Sequence, residues 1–259
     1  NRQGRWAADN IMGRMRPYRG SAAVSVIKLF EMTAASAGLN EKACKEAKIR
    51  FDKVIVHAQS HASYYPGAKS MTLKVLFAPA DGRILGAQAV GFDGVDKRID
   101  VLATAIQAGL SAADLEELDL AYAPPYSSAK DPVNLAGYVI ENVRQGLVVQ
   151  FHHDMIPKIA EMEDVVFLDV RTPAEYVAGH IKGALNLPFF ELRNRIGELD
   201  SSKRYFINCQ SGFRSYMACR ILKEHGFICS HLSGGYQFYS YVYCGNCYSS
   251  DACMCVKGE

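Results

Sequence analysis

The sequence lacks a long apolar run: no stretch approaches the roughly 18 residues that a membrane-spanning helix requires. It also lacks an excess of either charge, because 29 Lys and Arg against 27 Asp and Glu leave a net charge of +2. So small a charge gives no indication of binding to nucleic acid or to an anionic membrane. The N-terminus, Asn1-Arg2-Gln3, has neither an initiator Met nor a signal-like apolar segment. We therefore expect a piece of a longer chain with no nucleic-acid or membrane partner.

Eight cysteines occur in 259 residues, and four of them fall within the last sixteen. A chain of this length with 49% apolar residues does not need a disulfide framework to form a core. Scattered thiols such as Cys44 and Cys219 are typical of a reducing compartment. The cysteine usage predicts a cytoplasmic protein.

The first part of the chain, up to about residue 147, predicts an α+β domain with an antiparallel sheet. Residues 22–36 are small and apolar, and we expect a helix there that ends near Gly38. The other predicted elements follow a hairpin-then-helix order. They are a strand over Lys48–Gln59, strands over Met71–Ala78 and Ile84–Val90 joined at Asp81-Gly82, a helix over Ile99–Leu110 and a short helix capped by Ser111 and Asp114.

After residue 148 the pattern alternates between strand and helix and predicts an α/β domain with a parallel sheet. Val165–Val170 is a continuous apolar run, as expected of a strand that is buried on both faces. Thr172 and Glu175 form a capping box with Pro173 at the first helical position. Strands are expected over Tyr205–Asn208 and Phe227–Leu232, with an amphipathic helix over 215–225 between them.

The loop between that second strand and its helix reads Cys209-Gln-Ser-Gly-Phe-Arg214-Ser215. Backbone N–H groups and the positive end of the helix dipole converge on such a position and favour a thiolate, which is the nucleophilic form of cysteine. Gly212 lets the loop curl, and Arg214 adds positive charge beside an anionic substrate. We predict that Cys209 and Arg214 are catalytic. The predicted substrate-binding residues are Gln210, Ser211, Gly212, Phe213 and Ser215.

The surrounding motifs resemble a single-domain rhodanese over about residues 148–243. They are Asp169-Val-Arg171-Thr-Pro-Ala-Glu175, then Gly179-His180-Ile-Lys-Gly183, and Leu232-Ser-Gly234-Gly235-Tyr236. The resemblance implies a sulfurtransferase that carries sulfane sulfur as a persulfide on Cys209, with thiosulfate, persulfides or small thiols as partners. It also implies that Asp169, Arg171 and His180 are structural.

A rhodanese-fold phosphatase is the alternative for this loop. Phosphatases of the related type have five residues between the Cys and the Arg, whereas four separate Cys209 from Arg214. The shorter loop suits a sulfur atom and leaves too little room for phosphate.

The first part also resembles a known family. Arg5-Trp-Ala-Ala-Asp9-Asn10, His61-Ala-Ser-Tyr64-Tyr65-Pro66-Gly67 and Tyr122-Ala-Pro124-Pro125-Tyr126 are similar to coenzyme A disulfide reductases, above all to the persulfide reductases with a C-terminal rhodanese domain. This implies the tail of a flavin domain over 1–20, a dimerisation domain over 21–147, the rhodanese domain over 148–243 and a Cys-rich tail over 244–259.

The same resemblance implies a parent oxidoreductase that uses FAD, NAD(P)H and coenzyme A. No GxGxxG follows a strand in this chain, so we expect the chain itself to bind no cofactor. In the family, tyrosines cross a homodimer interface toward the partner's flavin-side cysteine. Tyr64 and Tyr122 match that pattern as catalytic candidates or as plain interface aromatics. A non-catalytic dimerisation and sulfur-binding module is the alternative to an active sulfurtransferase.

The cysteines of the tail, Cys244, Cys247, Cys253 and Cys255, have the spacing C-x2-C-x5-C-x-C. Four thiolates could close a tetrahedral zinc site, although the central gap is short for a zinc ribbon. A disulfide-exchanging pair that resolves the Cys209 persulfide and a tail with neither role are the other interpretations.

Overall fold

The computed structural model describes residues 2–18 and 20–244, together with the backbone of residues 255–256. A five-stranded antiparallel sheet organises the first part, in the order β1-β2-β5-β4-β3. The elements of this part are α1 (Arg2–Ile11), β1 (Ser25–Leu29), β2 (Met32–Gly38), α2 (Glu41–Glu46), β3 (Asp52–Gln59), β4 (Ser70–Phe77), β5 (Ile84–Gly91), α3 (Val95–Ala108), α4 (Ala112–Glu117) and α5 (Pro132–Arg144).

The predicted hairpin of β4 and β5 is confirmed, and its inward face carries the core. Leu73, Val75 and Phe77 are buried on β4 and share one cluster with Ile99 and Leu102 of α3. Ser111 caps α4 through the predicted capping box, because its hydroxyl accepts from the Asp114 N–H while the Asp114 carboxylate accepts from the Ser111 N–H. The α+β class with an antiparallel sheet is therefore confirmed.

The helix expected over residues 22–36 is wrong, because this segment forms the β1–β2 hairpin. The chain turns at Phe30, whose φ is +55°. The small residues that suggested a helix serve packing instead. Ala35 and Ala37 are buried on β2, where their short side chains let α3 lie close to the sheet.

A second five-stranded sheet, parallel and ordered β6-β11-β10-β7-β9, organises the rest of the chain. The predicted α/β class is confirmed. The elements are β6 (Gln150–Phe151), α6 (Ile156–Ala160), β7 (Val165–Asp169), α7 (Pro173–Val177), β8 (His180–Ile181), β9 (Leu185–Asn186), α8 (Leu192–Arg195), β10 (Arg204–Asn208), α9 (Phe213–Glu224), β11 (Ile228–Leu232), α10 (Gly235–Tyr243) and β12 (Cys255–Val256), which pairs with β8.

The two sheets meet where β3 lies against the segment between β11 and α10. The backbone N–H of Ile55 donates to the Ser233 Oγ at 3.1 Å, and the Nε2 of His57 lies 2.9 Å from the Gly234 carbonyl oxygen. A carbonyl only accepts, so Nε2 carries the proton of His57. Gly234 has a φ of +76°, and a Cβ there would lie 2.7 Å from Ile55 Cγ2. This contact therefore requires glycine.

The helices of the described chain are short or amphipathic. None of those within residues 2–18 and 20–244 is long and apolar enough to cross a membrane.

Candidate active site

Cys209 lies at the C-terminal end of β10, at the turn into α9, and only 1% of it is exposed. The Gly212 N–H donates to the Cys209 Sγ at 3.2 Å, and the thiol itself points to the Ser215 Oγ at 3.5 Å. Ser215 in turn donates to the Gly212 carbonyl at 3.0 Å. Gly212 has a φ of +108°, which lets the loop close around the sulfur atom. The loop therefore surrounds the thiol with backbone and hydroxyl groups.

The first turn of α10 holds the other side of this loop. The Tyr236 and Gln237 N–H groups donate to the carbonyl oxygens of Cys209 and Gln210 at 2.8 and 2.9 Å. A Cβ at Gly235 would lie 2.6 Å from both of these oxygens, so only glycine permits this approach. The Gly-Gly pair was noted in the sequence as part of a motif, but its role in fixing the loop depends on a helix that the pattern did not predict.

Arg171 supports the loop from the adjacent strand end. Its guanidinium donates to both carboxylate oxygens of Asp169, to the Gly179 carbonyl at 2.6 Å and to the Gln210 Oε1 at 3.3 Å. It also lies 4.0 Å from the centre of the Tyr236 ring. All of these contacts are internal, which agrees with a structural role.

His180 is engaged in the same region. Its ring stacks on Tyr176 at 3.8 Å, and its Nδ1 lies 3.0 Å from the Tyr176 carbonyl oxygen. These contacts fit the structural role implied by the resemblance.

Arg214, predicted to add positive charge beside an anionic substrate, pairs with a carboxylate in the structure. Its two terminal nitrogens donate to the two oxygens of Glu175 at 2.8 and 2.6 Å. Glu175 also caps α7 by accepting from the Thr172 N–H. The hydrogen bond from Arg214 is the main reason why the pKa of Glu175 falls to about 2. The sequence pattern places Glu175 only in the helix cap, and no local pattern indicates that it pairs with a residue 39 positions away.

We expect Glu175→Gln to weaken the fold in a pH-dependent way. The carboxylate has a folded pKa of about 2 against an ordinary 4.5, so its stabilisation is complete above about pH 4.5 and is lost as the pH falls toward 2. Because the pair is partly solvated, the expected loss at pH 7 is about 1 kcal/mol. Urea unfolding of the unmodified chain and of Glu175→Gln at pH 7, 4.5 and 2.5 measures this loss of stability. Curves that remain separated equally at pH 2.5 would contradict the assignment.

The remaining predicted substrate residues divide into two groups. Ser215 is fully buried and faces the sulfur, whereas the Phe213 side chain is 71% exposed and Ser211 is exposed. Ser211, Gly212 and Phe213 border a cavity of about 540 Å³ between the two sheets, which β3 closes with Ile55 and His57. The loop thus faces the thiol on one side and an interdomain cavity on the other.

His231 of β11 also lines this cavity and is buried. Within the described part of the chain neither ring nitrogen has a hydrogen-bond partner, and burial lowers the pKa of His231 to about 4. We expect a neutral imidazole there at physiological pH.

Tyr64 and Tyr122 are far from the Cys209 loop in the sequence, and they lie next to each other in the structure. Their hydroxyl oxygens are 3.2 Å apart on an exposed surface. The hydrogen bond with Tyr64 is the main reason why the pKa of Tyr122 is raised, so the Tyr122 hydroxyl stays protonated and able to donate. The structure thus brings the two predicted tyrosines into contact.

The predicted tail site falls mostly outside the described residues: Cys247 and Cys253 lie there, and so does the side chain of Cys255. Cys244 ends α10 and packs against the core cluster that contains Tyr236 and Tyr239. In the described ranges no group of three or more His, Cys, Asp or Glu side chains has the arrangement of a metal site.

Two family models match the chain, one for each sheet. Residues 24–132 match the pyridine nucleotide-disulphide oxidoreductase dimerisation domain, and residues 154–240 match the rhodanese-like domain. Among curated relatives, the coenzyme A disulfide reductases of Staphylococcus epidermidis and Staphylococcus haemolyticus are 40% and 42% identical over 121 and 123 residues. Each match covers 47% of this chain and 27% of the relative. The chain therefore matches only about a quarter of the length of these relatives.

Two solved structures resemble nearly the whole chain. Reduced Bacillus anthracis CoADR-RHD has a TM-score of 0.90 and 46% identity, over 93% of this chain and 43% of that one. The NAD-dependent persulfide reductase from A. fulgidus has a TM-score of 0.80 and 41% identity, over 92% of this chain and 42% of that one. Both sheets and their connection are thus found together in proteins that are about twice as long.

Proposed function

Because this chain joins a pyridine nucleotide-disulphide oxidoreductase dimerisation domain to a rhodanese-like domain, we propose that it is the sulfurtransferase part of a coenzyme A disulfide or persulfide reductase. In this proposal Cys209 carries sulfane sulfur as a persulfide. The supporting observation is the buried Cys209 Sγ, which accepts the Gly212 N–H at 3.2 Å inside a closed loop. Such a loop can stabilise negative charge on sulfur without a metal.

The proposed reaction has two displacements at sulfur. The Cys209 thiolate attacks the outer sulfur of thiosulfate, forms a new S–S bond and releases sulfite. A thiol or cyanide then attacks the terminal sulfur of the persulfide, which returns the electron pair of that bond to Cys209. The loop N–H groups would hold the anionic terminal sulfur, and Ser215 would donate to it after releasing the Gly212 carbonyl.

Loading of the intact chain with thiosulfate tests this proposal. We expect intact-mass spectrometry to show one added sulfur per chain, and peptide mapping to place it on Cys209. Cyanide should then remove it as thiocyanate. Sulfur found only on the cysteines of the tail, or no added sulfur with thiosulfate and with a small persulfide alike, would contradict the proposal.

The cofactors of the parent family do not fit the described residues of this chain. The strand-to-helix loop at Cys209 directs its N–H at a sulfur atom 3.2 Å away, and the other sheet is antiparallel, so neither provides a dinucleotide cradle. We assign FAD and NAD(P)H to the parent enzyme and derive no step of this chain through them.

We also propose that the first domain forms a homodimer. It matches a dimerisation domain, and β1 with its turn exposes a cluster of apolar side chains. They are Val26, Ile27, Leu29 and Phe30, the last 99% exposed. A second copy would bury this cluster, as large exposed apolar patches usually mark an interface. In such a dimer the Tyr64–Tyr122 pair would present its hydroxyls to the partner's thiol chemistry.

Sedimentation equilibrium at micromolar concentration checks the dimer. We expect a mass of twice 28.5 kDa, and a monomer for the double variant Ile27→Glu, Phe30→Asp. Phe190→Asp, which changes an exposed aromatic of the second domain, is the matched control and should leave the dimer intact. A monomeric unmodified chain would refute this part of the proposal.

A further inference from the structure

Three cysteines of the second domain lie on adjacent elements behind the active loop. Cys209 and Cys219 are buried in one apolar cluster, and Cys229 packs against it from β11. Cys219 is on α9, the helix that begins at the Cys209 loop, and nine residues of chain separate it from Cys229 on β11. The proposed sulfur chemistry uses only Cys209, so the other two thiols have no role in it.

Cys219 and Cys229 are direct neighbours. The Cys229 Sγ lies 3.4 Å from the Cys219 carbonyl oxygen, and the two thiols are close enough for each to shift the pKa of the other. Both are reduced. A disulfide needs its sulfur atoms about 2.05 Å apart, so its formation would require the Cys229 thiol to turn from the Cys219 carbonyl oxygen toward the Cys219 Sγ.

The two thiols differ in exposure and in pKa, as an attacking cysteine and a resolving cysteine do. Cys229 is half-buried, and the hydrogen bond from Cys219 together with the charge of Lys223 lowers its pKa. Cys219 is 2% exposed, and its hydrogen bond to Cys229 and its burial raise its pKa. A small oxidant in solution therefore meets Cys229 first, and that thiol is also the more readily ionised of the two.

We propose that Cys219 and Cys229 form a redox-sensitive dithiol that small disulfides convert into an intramolecular disulfide between α9 and β11. The Cys229 thiolate attacks one sulfur of a disulfide RSSR, forms a mixed disulfide and releases RS⁻. The Cys219 thiolate then attacks the Cys229 Sγ and releases the second RS⁻. The two cysteines are oxidised by two electrons, RSSR is reduced to two thiols, and the two cysteine protons end on them.

This inference does not depend on the sulfurtransferase proposal, because it concerns different thiols and is tested without sulfur transfer. The protein for the test is the full chain carrying Cys209→Ser, so that the loop thiol cannot compete for the oxidant. The reduced protein is incubated with oxidised glutathione as the probe, and remaining thiols are then alkylated. Chymotrypsin, which cuts after Tyr, Phe and Leu, releases each relevant cysteine in a peptide with no other cysteine: 217–222 for Cys219, 228–232 for Cys229 and 40–51 for Cys44.

We expect peptides 217–222 and 228–232 to become linked, with loss of two hydrogen atoms. Cys219→Ala should instead trap glutathione on Cys229, and Cys229→Ala should leave Cys219 alkylated only after unfolding. Cys44, which is fully buried with a pKa raised by burial, is the internal control and should stay reduced.

Three outcomes would overturn the proposal. The first is a glutathione adduct that persists on Cys229 while Cys219 is present. The second is glutathione on Cys219 in the Cys229→Ala protein at the rate seen for Cys229. The third is a pair that stays reduced when the glutathione is fully oxidised.

Discussion

Cys209→Ser is expected to lower the rate of sulfur transfer from thiosulfate to cyanide by a factor on the order of a thousand or more. Removal of the nucleophile leaves only the background reaction. The serine oxygen can still accept the Gly212 N–H, so the loop keeps its closure and the fold its stability. The measurement is the rate of thiocyanate formation, together with the intact mass after thiosulfate. The variant should gain no sulfur.

Cys44→Ala provides the matched control for this result. It removes another fully buried thiol, but one that lies in the first domain among Leu76 and Leu85 and away from the loop. Its rate should equal that of the unmodified chain. A serine variant that still transfers sulfur at the original rate would show that a different thiol is the carrier.

Arg171→Ala is expected to cost about 3–5 kcal/mol of stability, because it leaves the Asp169 carboxylate buried without its cation. Asp169 is 0% exposed and Arg171 2%, so the carboxylate that remains lies away from bulk solvent. The variant also frees Gln210, which Arg171 contacts at 3.3 Å. Hydrogen exchange of the β7 and β10 amides measures the loss where it occurs.

Two further variants serve as comparisons: one removes the buried charge at this position, and the other is a control on the surface. Arg171→Met combined with Asp169→Asn leaves no buried charge, so we expect it to recover part of the loss. Arg195→Ala removes an exposed arginine that pairs with Glu191 and Glu198, and its exchange rates should match those of the unmodified chain. If Arg171→Ala behaves like Arg195→Ala, the buried pair does not stabilise the domain as proposed.

Local signals predicted much of the fold. The sequence predicted the capping boxes at Ser111 and Thr172, because all groups of each box lie within four residues of each other. The buried strand over Val165–Asp169 and the loop at Cys209 were readable for a similar reason, since an apolar run and a glycine-containing turn are contiguous in the chain. These features depend on near neighbours and on the period of the pattern.

What the sequence did not predict depends on partners that are distant in the chain. The alanines of β2 belong to a strand only because α3 covers them. The ion pair of Glu175 and Arg214 joins positions 39 residues apart. The helix α10, which holds the Cys209 carbonyl, begins at a glycine pair whose backbone angles no composition rule specified. Such contacts follow from the tertiary fold.

Gly234 lies at the junction between the first domain and the loop that holds the Cys209 sulfur atom. This residue accepts a hydrogen bond from His57 of β3, and the helix that follows it donates to the Cys209 and Gln210 carbonyls. The first domain is therefore connected to the loop through the hydrogen bonds of Ile55 and His57 and then through the first turn of α10. The position of the Cys209 loop therefore depends on contacts with the neighbouring domain. Under the proposed function, we expect a displacement of β3 to change the position of the Cys209 loop relative to a sulfur donor or acceptor.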